Sequence, residues 1–145
     1  MKKGLGIVSV LIVVALGAYL CFQVFFRMAV PGDTGTLEID GLRSAVEVRF
    51  DDYGVPHLFA KNDDDLFFAQ GYVAARERLF QMEISRLAGR GELSSLFGEK
   101  TLDKDRFLKT IGIHRLARTG YAALSPEARR LTAAYVAGVN ACIRD

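Results

Sequence analysis

The chain has 145 residues, half of them hydrophobic, with 19 Lys and Arg against 17 Asp and Glu. That length permits one ordinary domain. The small positive balance comes from Lys2 and Lys3; beyond them basic and acidic residues are equal in number, so no net positive charge remains for a phosphate backbone, and nucleic-acid binding is excluded.

Residues 4–26 carry no charged side chain. A helix over that run rises roughly 35 Å, enough for a hydrocarbon core of ~30 Å. Lys2 and Lys3 precede it and Arg27 follows. This asymmetry predicts a signal anchor, with residues 1–3 in the cytoplasm, 4–26 crossing the membrane and the main domain on the extracytoplasmic side. A cleaved signal peptide is the rival, but its apolar region is usually ~7–15 residues and RMAVP at 27–31 offers no Ala-x-Ala site. Cys21 lacks the small preceding residue of a lipoprotein signal. Cys21 and Cys142, one in the apolar run and one near the far end, do not form a disulfide framework. Cys142 reads as a core residue.

Residues 27–35, with Pro31, Gly32, Asp33 and Gly35, read as a linker to a domain at 36–145. Residues 36–40 and 45–50 alternate apolar and polar, predicting two strands in a hairpin around Gly41. A turn at 51–54 and an extended Val55 before Pro56 lead to a third short strand at 57–60. Asn62 is a predicted N-cap, with Asp63, Asp64 and Asp65 on the favourable end of a long helix. Its core positions are Leu66, Ala69, Val73, Phe80, Ile84 and Leu87, and Gly89 and Gly91 end it. A brief helix follows at 92–97. A longer one over 103–124, weakened at Gly112, is predicted to bury Leu108, Ile111, Leu116 and Tyr121. Ser125, Pro126 and Glu127 open a last helix that turns Leu131, Tyr135, Val139 and Ile143 inward. It lacks a stop signal near Asp145, as an interrupted chain would.

Residue chemistry alone assigns no site. His57 and His114 are the only histidines, and no further ligands stand at metal spacing. His57 reads as a hydrogen-bonded structural residue and His114 as a surface one. A triad of Ser44, His57 and Asp51 lacks nucleophile-elbow glycines. Asp63–Asp65 lacks the alternating ligands and distal Glu of a Ca²⁺ loop, and capping accounts for it. The Gly-Arg-Gly at 89–91 is too short to cradle a phosphate. Arg76, Arg78 and Arg86 read as salt-bridging residues before they read as substrate ligands.

Six ordered segments add a further reading: VEVRFDDYGVPH at 46–57, DLFFAQGY at 65–72, RLFQME at 78–83, RLAGRGEL at 86–93, LFG at 96–98 and YVAGVNA at 135–141. Together they resemble the opening of the penicillin amidase family. Phe50 and Leu87 stand where that family commonly has Arg. The residues by themselves predict an α+β chain, an N-terminal transmembrane helix followed by short strands and a mostly helical segment; the resemblance implies that this segment wraps the αββα core of an N-terminal nucleophile hydrolase. It implies an exported precursor that cuts itself in two and exposes a Ser at the start of the larger chain. That large-subunit polypeptide is then the partner, and N-acyl compounds such as penicillins and acyl-homoserine lactones are the substrates. The Ser, its oxyanion donors and the family's Ca²⁺ ligands are expected outside these residues. No catalytic, substrate-binding or metal residue is therefore assigned here, and Asn140 reads as a helix-packing feature. A catalytically silent membrane-tethered scaffold is the alternative.

Overall fold

The computed structural model describes residues 2–29 and 34–145, with side chains described over 12–27 and 34–145. The chain divides into two units, one ending at Leu37 and the other running from Glu38 to Asp145.

The first unit contains α1 (Lys2–Ala29). On it Gln23 Nε2 donates to Tyr19 Oη at 3.0 Å, and the Phe22 and Phe26 rings stack at 4.3 Å. Among the described residues no helix is long and apolar enough to cross a membrane. The predicted anchor over 4–26, and with it the membrane anchoring of the main domain, is therefore overturned. A span needs about 20 predominantly apolar residues, and α1 carries the hydrogen-bonded Tyr19–Gln23 polar pair inside the run. Of the predicted linker over 27–35, residues 27–29 belong to α1 and 30–33 lie outside the described residues, as does Met1.

The second unit is mostly helical, which corrects the expected α+β class. Its only described strands are β1 (Glu47–Phe50) and β2 (Pro56–Phe59), paired antiparallel with Val48 opposite Leu58 and Arg49 opposite His57. Residues 36–40 form no strand. The cause is local. The backbone N–H groups of Arg43 and Ser44 donate to the Asp65 carboxylate at 2.9 and 3.0 Å, so the loop after Gly41 is tied to a helix and does not turn back into a ladder. The hairpin forms one step later, around Asp51. Its Oδ1 accepts the N–H groups of Tyr53 and Val55, both at 2.9 Å, while Gly54 takes the left-handed conformation at φ 74°.

The long helix α2 (Asp63–Arg90) starts as predicted: Asn62 is extended and its side chain accepts from Asp65 N–H. It ends in a Schellman arrangement, with Gly91 N–H on Ala88 carbonyl and Glu92 N–H on Leu87 carbonyl at 3.0 and 2.8 Å. Arg78 breaks the helix at φ −139°, ψ 22°. That kink resets the buried face, so Phe80, a predicted core position, is 64% exposed while Leu87 is buried. Next come α3 (Ser94–Phe97), a 3₁₀ turn (Gly98–Thr101), α4 (Leu102–Ile111), α5 (Ile113–Ala123) and α6 (Pro126–Arg144). The single helix expected over 103–124 is thus two, divided where Gly112 adopts φ 76°. Ile111, Leu116 and Tyr121 are exposed. Ser125 caps α6 by accepting Ala128 N–H at 3.1 Å, with Pro126 in its first turn.

The core sits where α2 packs on α6, its most extensive partner. Phe68, Ala69, Gly71, Val73 and Ala75 of α2 and Gly138 and Ala141 of α6 are buried, with Phe68 and Gly71 directly against α6. A Cβ on Gly71 would overlap the Tyr135 carbonyl, and one on Gly138 would overlap that of Phe68. The two backbones touch at these glycines. Ala is the better helix former by about 1 kcal/mol, so substitution at an unconstrained glycine stabilises. Here Gly71→Ala and Gly138→Ala each destabilise the chain by about 1–3 kcal/mol or more, because the overlapping atoms are main-chain and cannot swing away; urea denaturation monitored by circular dichroism reads the difference.

Candidate functional site

Polar chemistry in the second unit gathers at the start of α2. Asp65 is 1% exposed and its carboxylate accepts three hydrogen bonds, from Arg43 N–H, Ser44 N–H and Asn62 Nδ2, the last at 2.7 Å. Arg43 N–H, helped by Asn62 and Ser44 and opposed by burial, holds the Asp65 carboxyl below its usual range. Asp64 pairs with Arg43 at 3.1 Å and with Arg130 of α6. These groups border a cleft of about 300 Å³ whose apolar wall is Phe68, Ala133, Ala134 and Ala137.

A second buried carboxylate repeats the device. Asp105 of α4, 3% exposed, accepts the N–H groups of Leu93 and Ser94 at 2.8 and 2.7 Å. Burial works against its ionised form, but the Ser94 hydroxyl and these two N–H groups outweigh it, and the carboxyl titrates low. Both carboxylates titrate low, are buried and are committed to holding loop backbone, so neither is presented as a base to a substrate. At the far end of α6, Tyr72 Oη donates to Asp145 at 2.9 Å. Burial and that bond push the phenol up to about 12, so it stays protonated.

Of the residues singled out from sequence, Asp51 and His57 do meet, with Nε2 3.2 Å from Oδ2. The Val55 N–H and then the His57 contact lower the Asp51 carboxyl. Ser44 is held by Asp65 at the start of α2, whereas the His57–Asp51 pair belongs to the hairpin turn. Arg86 grips Glu83 with two bonds of 2.7 Å, the salt-bridging role expected of it. Arg78 marks the kink. His114 and Asn140 are exposed. Cys142 is half-buried, and burial raises its thiol above the ordinary value. Among the described residues no three His, Cys, Asp or Glu side chains converge on a metal position. Asp63–Asp65 do not fit Ca²⁺, since Asp64 and Asp65 are committed to arginines and backbone N–H groups. Sequence reasoning missed the reach of Asp65 and Asp105 back to loops 11 to 22 residues earlier; no local pattern marks a bond at that separation.

The arrangement is a set of joints, and its relatives say of what. Residues 45–145 match the family described as penicillin amidase. The chain belongs to the penicillin amidase family. It is 38% identical over 115 residues to the penicillin acylase 2 proenzyme of Pseudomonas sp. strain SE83, covering 79% of this chain and 15% of that protein. It is 34% identical over 126 residues to the acyl-homoserine lactone acylase QuiP of Pseudomonas putida, covering 87% of this chain and 16% of that one. The structure of the thermostable penicillin G acylase from Alcaligenes faecalis superposes with a TM-score of 0.61 at 32% identity, over 69% of this chain and 53% of that chain. The penicillin amidase chain thus spans less than a fifth of the length of these two acylases.

The two aspartates set an acid limit on its stability. Their folded carboxyls titrate below the unfolded value of about 3.9, so the folded state binds fewer protons. Their contribution is complete above about pH 5 and is lost as pH falls through the folded values. Asp65→Ala strands two backbone donors, lowers the melting temperature at pH 7 by about 5–15 °C, and flattens the decline between pH 5 and pH 3 measured by thermal melts.

Proposed function

We propose that these residues form the N-terminal part of an amidohydrolase that cleaves the amide bond of N-acyl compounds, penicillins and N-acyl homoserine lactones being the candidate substrates. The observation that carries this reading is the match of 45–145 to the penicillin amidase family, together with relatives that are themselves acylases. The described residues offer carboxylates that are already committed and no paired nucleophile and base, so the reacting groups are assigned to polypeptide outside these 145 residues.

In this reading the nucleophile is the hydroxyl of a Ser exposed by self-cleavage at the start of a larger chain. Its own α-amine, with an unperturbed pKa of about 7.7–8.0, takes the hydroxyl proton near neutral pH. Backbone N–H and amide donors stabilise the oxyanion, an ester forms with the acyl group, the amine leaves and water releases the acid. The resemblance's Ca²⁺ is assigned to the same missing polypeptide. What this chain contributes is a rigid pair of crossed helices and a hairpin for that larger chain to pack on.

Release of primary amine from penicillin G and from an N-acyl homoserine lactone tests the proposal. The 145 residues alone are expected to release none. Co-produced with whatever polypeptide the reading frame encodes beyond them, they are expected to release amine, and mass spectrometry is expected to find a cut that exposes an N-terminal Ser. Turnover by the 145 residues alone would place the nucleophile inside this chain, and an assembled, cleaved protein that releases no amine from either compound sinks the acylase reading.

A further inference from the structure

Where the end of α2 meets the junction of α4 and α5, a second cleft of about 280 Å³ opens. Its ionisable lining is Arg90, Lys109, His114 and Arg115, with no carboxylate among them. Two of these have an ordinary explanation. Arg90 and Lys109 stand in the last turns of α2 and α4, where positive charge complements the helix dipole. Arg90 also pairs with Glu92 at 2.9 Å, and Lys109 lies near the buried Asp105 carboxylate.

His114 and Arg115 have no such explanation. They occupy the first turn of α5, which carries no acidic residue, and the dipole there disfavours positive charge. Among the described residues no ion pair joins either to a carboxylate. The Arg115 guanidinium lies over the junction, 3.0 Å from where a Cβ on Gly112 would stand. The left-handed Gly112 thus turns the chain so that side chains from the end of α4 and the start of α5 face one space. Like charges gathered from three helices in a concavity work against stability and concentrate a positive potential there.

We propose that this cleft binds an oxyanion group, a phosphate or a carboxylate, with Lys109 and Arg115 as its principal contacts. The proposal does not rest on the amidohydrolase reading, since none of these side chains takes part in that chemistry.

Inorganic phosphate titrated into the whole chain at constant ionic strength, against matched chloride, is the test, with citrate as the carboxylate arm. Backbone amide shifts of Gly112, His114 and Arg115 are expected to saturate, and the melting temperature to rise above that in chloride. Saturation by phosphate alone assigns a phosphate group, and saturation by citrate alone a carboxylate; either supports the site. Lys109→Ala and Arg115→Ala are each expected to weaken binding about tenfold, the loss of one charge-assisted hydrogen bond. Arg106→Ala, which removes an exposed cation paired with Asp103 on the same helix α4, is expected to leave it unchanged. Shifts that grow linearly without saturating, or that persist in the Lys109→Ala/Arg115→Ala chain with its circular dichroism intact, overturn the proposal.

Discussion

The crossing of α2 on α6 depends on two missing methyl groups. At Gly71 and Gly138 each helix meets the other's carbonyl oxygens, so the axes approach closer than any side chain allows. Phe68 and Ala141 are buried beside this close approach. It also brings Arg130 of α6 to Asp64, which already holds Arg43. Interior glycine weakens an isolated helix by about 1 kcal/mol relative to alanine; burial at the contact offsets that cost.

Around this crossing the loops are held by carboxylates. Asp65 fixes the segment before the hairpin and Asp105 fixes the turn after α2, each through two consecutive backbone N–H groups. Ionised oxygens accepting backbone N–H bonds make stronger contacts than neutral pairs. Gly91 allows the second joint: it supplies the left-handed cap of α2, and a Cβ there would press on Lys109 and the Asp105 carbonyl. The segments that mark the penicillin amidase family are these same joints. DLFFAQGY and YVAGVNA are the two halves of the crossing, DDYGVPH is the hairpin turn, and RLAGRGEL is the cap. The family signature in this chain is a signature of scaffold geometry.

Much of the local structure was legible. Asn62 and Ser125 announce their helices because capping is a bond across three residues, and Gly91 announces an end because only glycine takes the left-handed conformation without strain. Errors arose where a distant group competed with a local preference. The alternating run at 36–40 suits a strand, but the loop that would return it to 45–50 is held by Asp65. The apolar spacing through Phe80 suits one continuous face, but the kink at Arg78 turns that residue out. Residues 103–124 have helical spacing throughout, and the positive φ at Gly112 divides them. The apolar run at 4–26 suggested a membrane anchor, and no described helix meets the length and hydropathy that one requires.

Read alone, the amino-acid order established the family, both ends of α2 and the start of α6, because each depends on neighbours within a few residues or on an ordered set of motifs. The three-dimensional fold determined which glycines are contacts and which are ends, which strands pair, and that Asp65 and Asp105 are loop clamps and not reactive acids. The helix contacts and the carboxylate clamps depend on groups 11 or more residues apart, which no local sequence pattern brings together.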